Sequence, residues 1–198
     1  MARRAAGLHG RPSRAQAPPR RSAAARGLHW VLAALGIGAL ATGYVISDVG
    51  WNGVGLVSRD WCVEAHKSMG LLMPPVCLAW AALALSRGFA KRSVAGRAVW
   101  LMHAALALGF LATALLGWAG SSAGRYGQAV FGLISAPEIV PTRDPKLAVR
   151  LYDLHKELAW WAMLALGLHV AGALTHLLIL RDGVFTAMIR RPERRGPA

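Results

Sequence analysis

Four apolar runs, each long enough to cross a bilayer and nearly free of charge, dominate this sequence. They fall at Leu28–Ile46, His66–Ser86, Ala98–Ala119 and Glu157–Leu180. A helix rises 1.5 Å per residue, so about 20 apolar residues cross the roughly 30 Å hydrocarbon core. Lipid offers no partner to backbone N–H and C=O groups, so such runs must be helical. The expected fold is an all-α membrane protein, a four-transmembrane-helix bundle. Only 16% of the 198 residues are charged, against about a quarter in a soluble domain. No room remains for a separate soluble domain.

The formal net charge of +14 suggests nucleic acid until its distribution is considered. Four spans put both termini on one side. Arg3 to Arg26, Arg87 to Arg97 and Arg181 to Arg195 place 16 basic residues there, against two acids, Asp182 and Glu193. The remaining seven basic and seven acidic residues lie on the other side. This is the positive-inside pattern, and it predicts both termini in the cytoplasm of a cell-membrane protein. Membrane lipid is the implied surroundings, and no nucleic-acid partner is expected.

Residues 1–27 are rich in Arg, Ala and Pro, contain no acid, and read as a disordered basic tail. Residues 28–180 read as the four-helix unit and 181–198 as a second basic cytoplasmic tail. Cleavage of the first run as a signal peptide would discard His29, and no good A-x-A site follows it, so it reads as retained. Cys62 and Cys77 stand in no C-x-x-C-H arrangement, which excludes covalent haem attachment. Both read as unpaired packing residues. Pro74 and Pro75 should kink the second span. Trp51, Trp61, Trp100, Trp118, Trp160 and Trp161 fall near span ends, as an aromatic belt does. The piece Gln128–Ile134 reads as lying on the membrane surface with Phe131 dipping in.

Six of the seven histidines lie in or at the ends of the spans. Ionisable side chains in lipid are costly and default to functional readings. His29 opens the first span on the cytoplasmic side; His66 and His155 open the second and fourth on the outer side. His169 follows His155 by 14 residues, roughly 21 Å along the axis and within about 40° of the same face. Depth therefore pairs His66 with His155 and His29 with His169. Two stacked pairs on facing helices are a bundle's way of building cofactor sites. Two imidazoles do not complete a zinc site, whereas haem needs two axial ligands only. Filling both leaves no position for oxygen, which favours electron transfer.

The stretch from Leu151-Tyr-Asp-Leu-His155-Lys-Glu-Leu-Ala-Trp to Gly167-Leu-His169, continuing to His176, resembles the fourth helix of bacterial cytochrome b561 proteins. Leu28-His29-Trp30, His66-Lys67-Ser68-Met69-Gly70, Leu116-Gly117-Trp118 with Ser121-Ser122, and Phe131-Gly132-Leu133 before Pro137 resemble the same family. The resemblance covers about residues 26–192. It implies two haem b groups with bis-histidine iron ligation by His29, His66, His155 and His169. It also implies exchange with the quinone pool (ubiquinone, for instance) and, in a known member, oxidation of superoxide. Two positions depart from the family: Trp80 stands where an Arg is common, and Leu177 replaces the second of two paired histidines.

His176 rivals His169 by depth; the resemblance favours His169. His176 is left to a quinone or haem-propionate contact, or to helix-end packing. His103 reads as an interfacial hydrogen-bonding residue, with a propionate or quinone contact as the alternative, and His9 as solvated in the tail. Lys67, Lys156 and Arg150 flank the outer histidines, either as snorkelling cations or as a positive funnel for propionates or superoxide. The resulting expectation is a di-haem electron carrier between a periplasmic-side donor and quinone. The second reading is a membrane anchor that takes electrons from a docked dehydrogenase or hydrogenase; a metal or proton transporter is the third.

Overall fold

The computed structural model describes residues 22–49, 59–86 and 94–189. The apolar runs form α1 (Ala23–Tyr44), α2 (Arg59–Leu85), α3 (Val94–Gly124) and α4 (Pro145–Thr175). Their membrane-crossing stretches are Ala23–Ser47, Arg59–Leu85, Gly96–Gly124 and Pro145–Leu180. The four-span bundle is the observed fold. A hairpin of β1 (Ala129–Val130) and β2 (Ile134–Ser135) lies between α3 and α4, and the one-turn helix α5 (Thr186–Ile189) follows. The end of the bundle bearing the hairpin is called outer, after the charge pattern, and the end bearing α5 inner.

Helix starts differ from the hydropathy boundaries because caps, not apolarity, set them. Ser22 Oγ accepts from the Ala25 N–H at 3.3 Å, so α1 begins ahead of Leu28. Asp144 Oδ1 accepts from the Leu147 N–H at 2.9 Å, and Pro145 takes the first helical position, where no N–H is needed. α4 thus starts well before Glu157, and α2 at Arg59 rather than His66. His66 and His155 consequently stand roughly 10 and 15 Å inside their helices instead of opening them. α2 runs unbroken through Pro74 and Pro75. Single π-helical turns, Val45–Val49 and His176–Leu180, extend α1 and α4.

Backbone packing is strongest between α3 and α4, then α1 and α2, then α2 and α3. Buried positions are small or slender: Ala65, Ser68, Met73, Cys77, Ala123, Ala148 and Ala162 among them. Small residues let helices approach closely where lipid gives no hydrophobic driving force. Cys62 and Cys77 are both buried and free, and Cys62 belongs to α2 rather than to a loop.

The hairpin is bonded to α2. The Phe131 N–H donates to Ser68 Oγ and the Gly132 N–H to Glu64 Oε1, each at 2.7 Å. Phe131 and Gly132 have φ of 48° and 68°, and the Leu133 N–H donates to Val130 O. Two successive positive φ values make this a type I′ turn. Phe131 and Leu133 point outward, 55% and 86% exposed.

Ser22 to Gly27 thus cap and begin α1, while residues 1–21, with His9, lie outside the described residues, as do Trp51 and residues 190–198. After α4 the chain reverses through Arg181 and Gly183, at φ of 49° and 77°. α5 then reaches back to α1, where Trp30 Nε1 donates to Met188 O at 3.1 Å.

Candidate functional site

Five of the six histidines on the described helices gather at two depths, and each helix contributes to both. Along every helix the two contributions are 14 residues apart: His29 and Gly43 on α1, His66 and Trp80 on α2, His103 and Gly117 on α3, His155 and His169 on α4. Fourteen residues is nearly four turns, so each pair stays on one face. The outer layer is Gly43, His66, Gly117 and His155. The inner layer is His29, Trp80, His103 and His169.

In the outer layer the His66 and His155 rings face each other, with centroids 5.8 Å apart and planes at 83°. A metal between two imidazoles, bound at about 2 Å to each nitrogen, holds ring centroids roughly 6 Å apart. The spacing therefore fits an iron with two axial histidines. His66 Nδ1 is 2.9 Å from Ala39 O on α1, and His155 Nδ1 is 2.8 Å from Thr113 O on α3. A carbonyl only accepts, so both rings carry their proton on Nδ1, which leaves each Nε2 with a lone pair able to bind a metal.

The helix that supplies each carbonyl also supplies a glycine one turn later. A Cβ on Gly43 would stand 2.9 Å from His66 Cε1, and one on Gly117 3.0 Å from His155 Cε1 and Nδ1. The two seats follow one plan: a carbonyl at position i takes the N–H, and a bare glycine at i+4 leaves room for the ring. A cavity of about 540 Å³ opens beside them, bounded by Gly70, Phe110, Trp118, Tyr152 and Met163 among others. That volume is in the range of small-molecule and cofactor sites. A Cβ on Gly70 would meet nothing within 4 Å, which leaves that wall of α2 open for a flat group. Lys67 reaches the same cavity, and its Nζ donates to Tyr126 O at 3.2 Å and Gly127 O at 2.9 Å, tying α2 to the turn after α3.

In the inner layer His29 and His169 have centroids 6.0 Å apart, planes at 59°. This spacing also fits an iron between them. His103, expected first as an interfacial residue, joins the same group, 4.8 Å from His169 and 5.9 Å from His29. Trp80 lies parallel to the His103 ring at 6.5 Å and 13°. His103 Nδ1 donates to Val99 O of its own helix at 2.6 Å. Trp80, noted in the sequence only for replacing an Arg, thus belongs to an aromatic inner layer. The 14-residue step shared by all four helices is the sequence signal that would have found Trp80, His103 and both glycines.

His176 stands apart from this layer, in the π turn. Its Nδ1 is 2.6 Å from Asp182 Oδ2. The Val184 N–H, and after it His176, hold the Asp182 carboxyl below its ordinary range, so it is the acceptor. Among the described residues no group of three or more His, Cys, Asp and Glu side chains is arranged to hold a bare metal ion.

No curated protein matches the chain significantly. The family model for prokaryotic cytochrome b561 matches residues 20–191, which takes in all four helices, both histidine layers and the hairpin. The chain therefore belongs to the prokaryotic cytochrome b561 family, as a multi-pass protein of the bacterial inner membrane that binds haem b and serves electron transfer.

Proposed function

We propose that the two layers hold two haem b groups, His66 with His155 outside and His29 with His169 inside. Electrons pass between a periplasmic-side donor, of the quinol or superoxide class, and the quinone pool. The observation carrying this reading is the pair of ring separations, 5.8 and 6.0 Å, each matching an imidazole–iron–imidazole sandwich. The charge asymmetry supports placing both termini in the cytoplasm.

Haem b, when bound, supplies a reversible one-electron couple. The chain's own residues fix how that couple is used. His66 and His155 would hold the outer group through both imidazoles, which would leave its iron no open position for oxygen. Ala39 O and Thr113 O lock the ring tautomers and orientation. Lys67, Lys156 and Arg150 bring positive charge to the outer end, suited to propionates and to an anionic donor. Superoxide giving up one electron leaves dioxygen, and two such electrons with two protons convert quinone to quinol. At the inner end Asp182 holds the His176 Nδ1 proton, which leaves Nε2 as the site for proton exchange with a quinone headgroup.

The test is haem stoichiometry and the reduced-minus-oxidised spectrum of the purified protein and its single alanine variants. Two haems per chain are expected, with one lost in each of His29→Ala, His66→Ala and His155→Ala, the inner one weakened in His169→Ala, and none lost in His176→Ala. Retention of both in His169→Ala with loss of one in His103→Ala or His176→Ala would overturn the inner ligand assignment.

A further inference from the structure

The two outer seats are alike in carbonyl and glycine and differ in one residue. On α1, Thr42 lies three residues after the accepting Ala39, and its Oγ1 is 3.3 Å from His66 Nδ1. On α3 the corresponding place, three after Thr113, is Leu116. Thr42 Oγ1 also lies 2.8 Å from Gly38 O and 3.2 Å from Ala39 O. A hydroxyl has one proton, and the shorter contact to Gly38 O takes it. An oxygen lone pair is then left for the His66 N–H, which Ala39 O and Thr42 Oγ1 share as a three-centre bond.

We infer that Thr42 is a positioning residue that sets the electron-donating strength of His66, and through it the reduction potential of the outer haem. The inference rests on the two-haem reading above. Each acceptor on Nδ1–H adds negative character to the imidazole and makes it a stronger ligand. A stronger donor favours the oxidised iron, the more electron-poor state, and lowers the midpoint potential. His155 receives one acceptor, Thr113 O. His66 receives two, so the two histidines would bind the outer iron with unequal strength, and the hydroxyl is the part a single substitution removes.

Thr42→Val keeps the shape and removes the acceptor. Potentiometric titration of the haem-loaded variant reads the effect, and the outer component is identified as the one that His155→Ala abolishes. Where His155→Ala loses both haems, the strongly anisotropic low-spin resonance of perpendicular imidazoles identifies it instead. The outer midpoint should rise. A weak hydrogen bond favouring one oxidation state shifts the oxidised-to-reduced ratio roughly threefold, about 28 mV at 59 mV per decade for one electron. The inner midpoint should stay put, and Thr42→Ser, which restores the hydroxyl, should return the wild-type value. If Thr42→Val loses haem, Thr42→Ala carries the same expectation, and loss in both makes Thr42 a packing residue and overturns the proposal. An unchanged outer midpoint at full haem content overturns it while leaving the two-haem reading intact. A wild-type protein with no outer haem removes that reading, and this proposal with it.

Discussion

In the proposed two-haem reading, the outer and inner layers solve one problem, holding an iron between two imidazoles, by opposite means. The outer layer isolates its ligands. Each ring is bonded to a carbonyl of the neighbouring helix, seated on a glycine, and bordered by a cavity. The inner layer crowds its ligands. Where the outer layer has Gly117 on α3, the inner has His103; where the outer has His66 on α2, the inner has Trp80. Among the described residues His169 has no carbonyl seat of the outer kind, and aromatic neighbours surround it instead. Backbone polar groups therefore set the orientation of His66 and His155, and side-chain packing sets that of His169. The outer site should be the stiffer of the two and the inner the more permissive.

The largest effect separates them outright. His66→Ala and His155→Ala should each abolish the outer haem, because among the described residues no other histidine is within ring distance of that pair. His169→Ala should leave a weakened inner haem in a fraction of molecules, since His103 stands 5.9 Å from His29 and offers a second imidazole. The double variant His103→Ala with His169→Ala should lose the inner haem completely. Haem-to-protein ratio and the spectrum decide this. Equal, complete loss of the inner haem in the single His169 variant would deny the inner layer its permissiveness.

Next in size is the glycine seat. Ala is favoured over Gly in a helix by about 1 kcal/mol, so propensity alone says that Gly117→Ala strengthens α3. The added Cβ would stand 3.0 Å from the His155 ring, tighter than ordinary contact, and the ring must move. We expect a more stable helix with outer haem retention reduced several-fold. Gly109→Ala, with nothing within 4 Å of its Cβ, is the control and should retain both haems. A thermal melt beside a haem assay separates the two consequences, and full retention in Gly117→Ala would remove the seat from the account.

These seats show what the sequence disclosed and what it withheld. The four spans were legible because lipid demands long apolar helices, and the four histidines because charges in lipid are rare. The pairing of His66 with His155 followed from depth alone. The carbonyls of Ala39 and Thr113 were not legible, since any residue type supplies a carbonyl and which one faces a ring depends on helix packing. Gly43 and Gly117 looked like ordinary small residues of membrane helices. The early starts of α2 and α4 were hidden because Arg59 to Ala65 and Pro145 to Lys156 are too polar for hydropathy, although Asp144-Pro145 is a good capping pair. The family resemblance covered the four histidines but not Trp80, one of the two places where this chain departs from the family pattern.

A middling effect comes from that departure. Trp80 lies parallel to the His103 ring; removing it strips the packing from one face of that ring. Trp80→Ala should broaden or split the inner haem signal, with the outer haem unchanged, while Trp80→Phe keeps an aromatic face and should behave as wild type. A shift in the outer component would mean that the layers are not independent.

The smallest effect lies at the inner rim, where Asp182 joins His176 and α5 returns to Trp30. The folded Asp182 carboxyl titrates below its unfolded value because Val184 and His176 bond its charged form. A depressed carboxyl contributes stability above its unfolded pKa, about 3.9, and loses it as pH falls through the folded value. Between pH 5 and 8 this bond therefore stays in place through Asp182, and pH dependence of the inner haem in that window must arise elsewhere. Asp182→Asn keeps an acceptor and should leave both haem spectra unchanged. Asp182→Ala should loosen the return of α5 and raise proteolytic nicking after Leu180, still without haem loss. Haem loss in Asp182→Ala would tie His176 to the inner iron itself, and would move the inner layer's boundary to the rim.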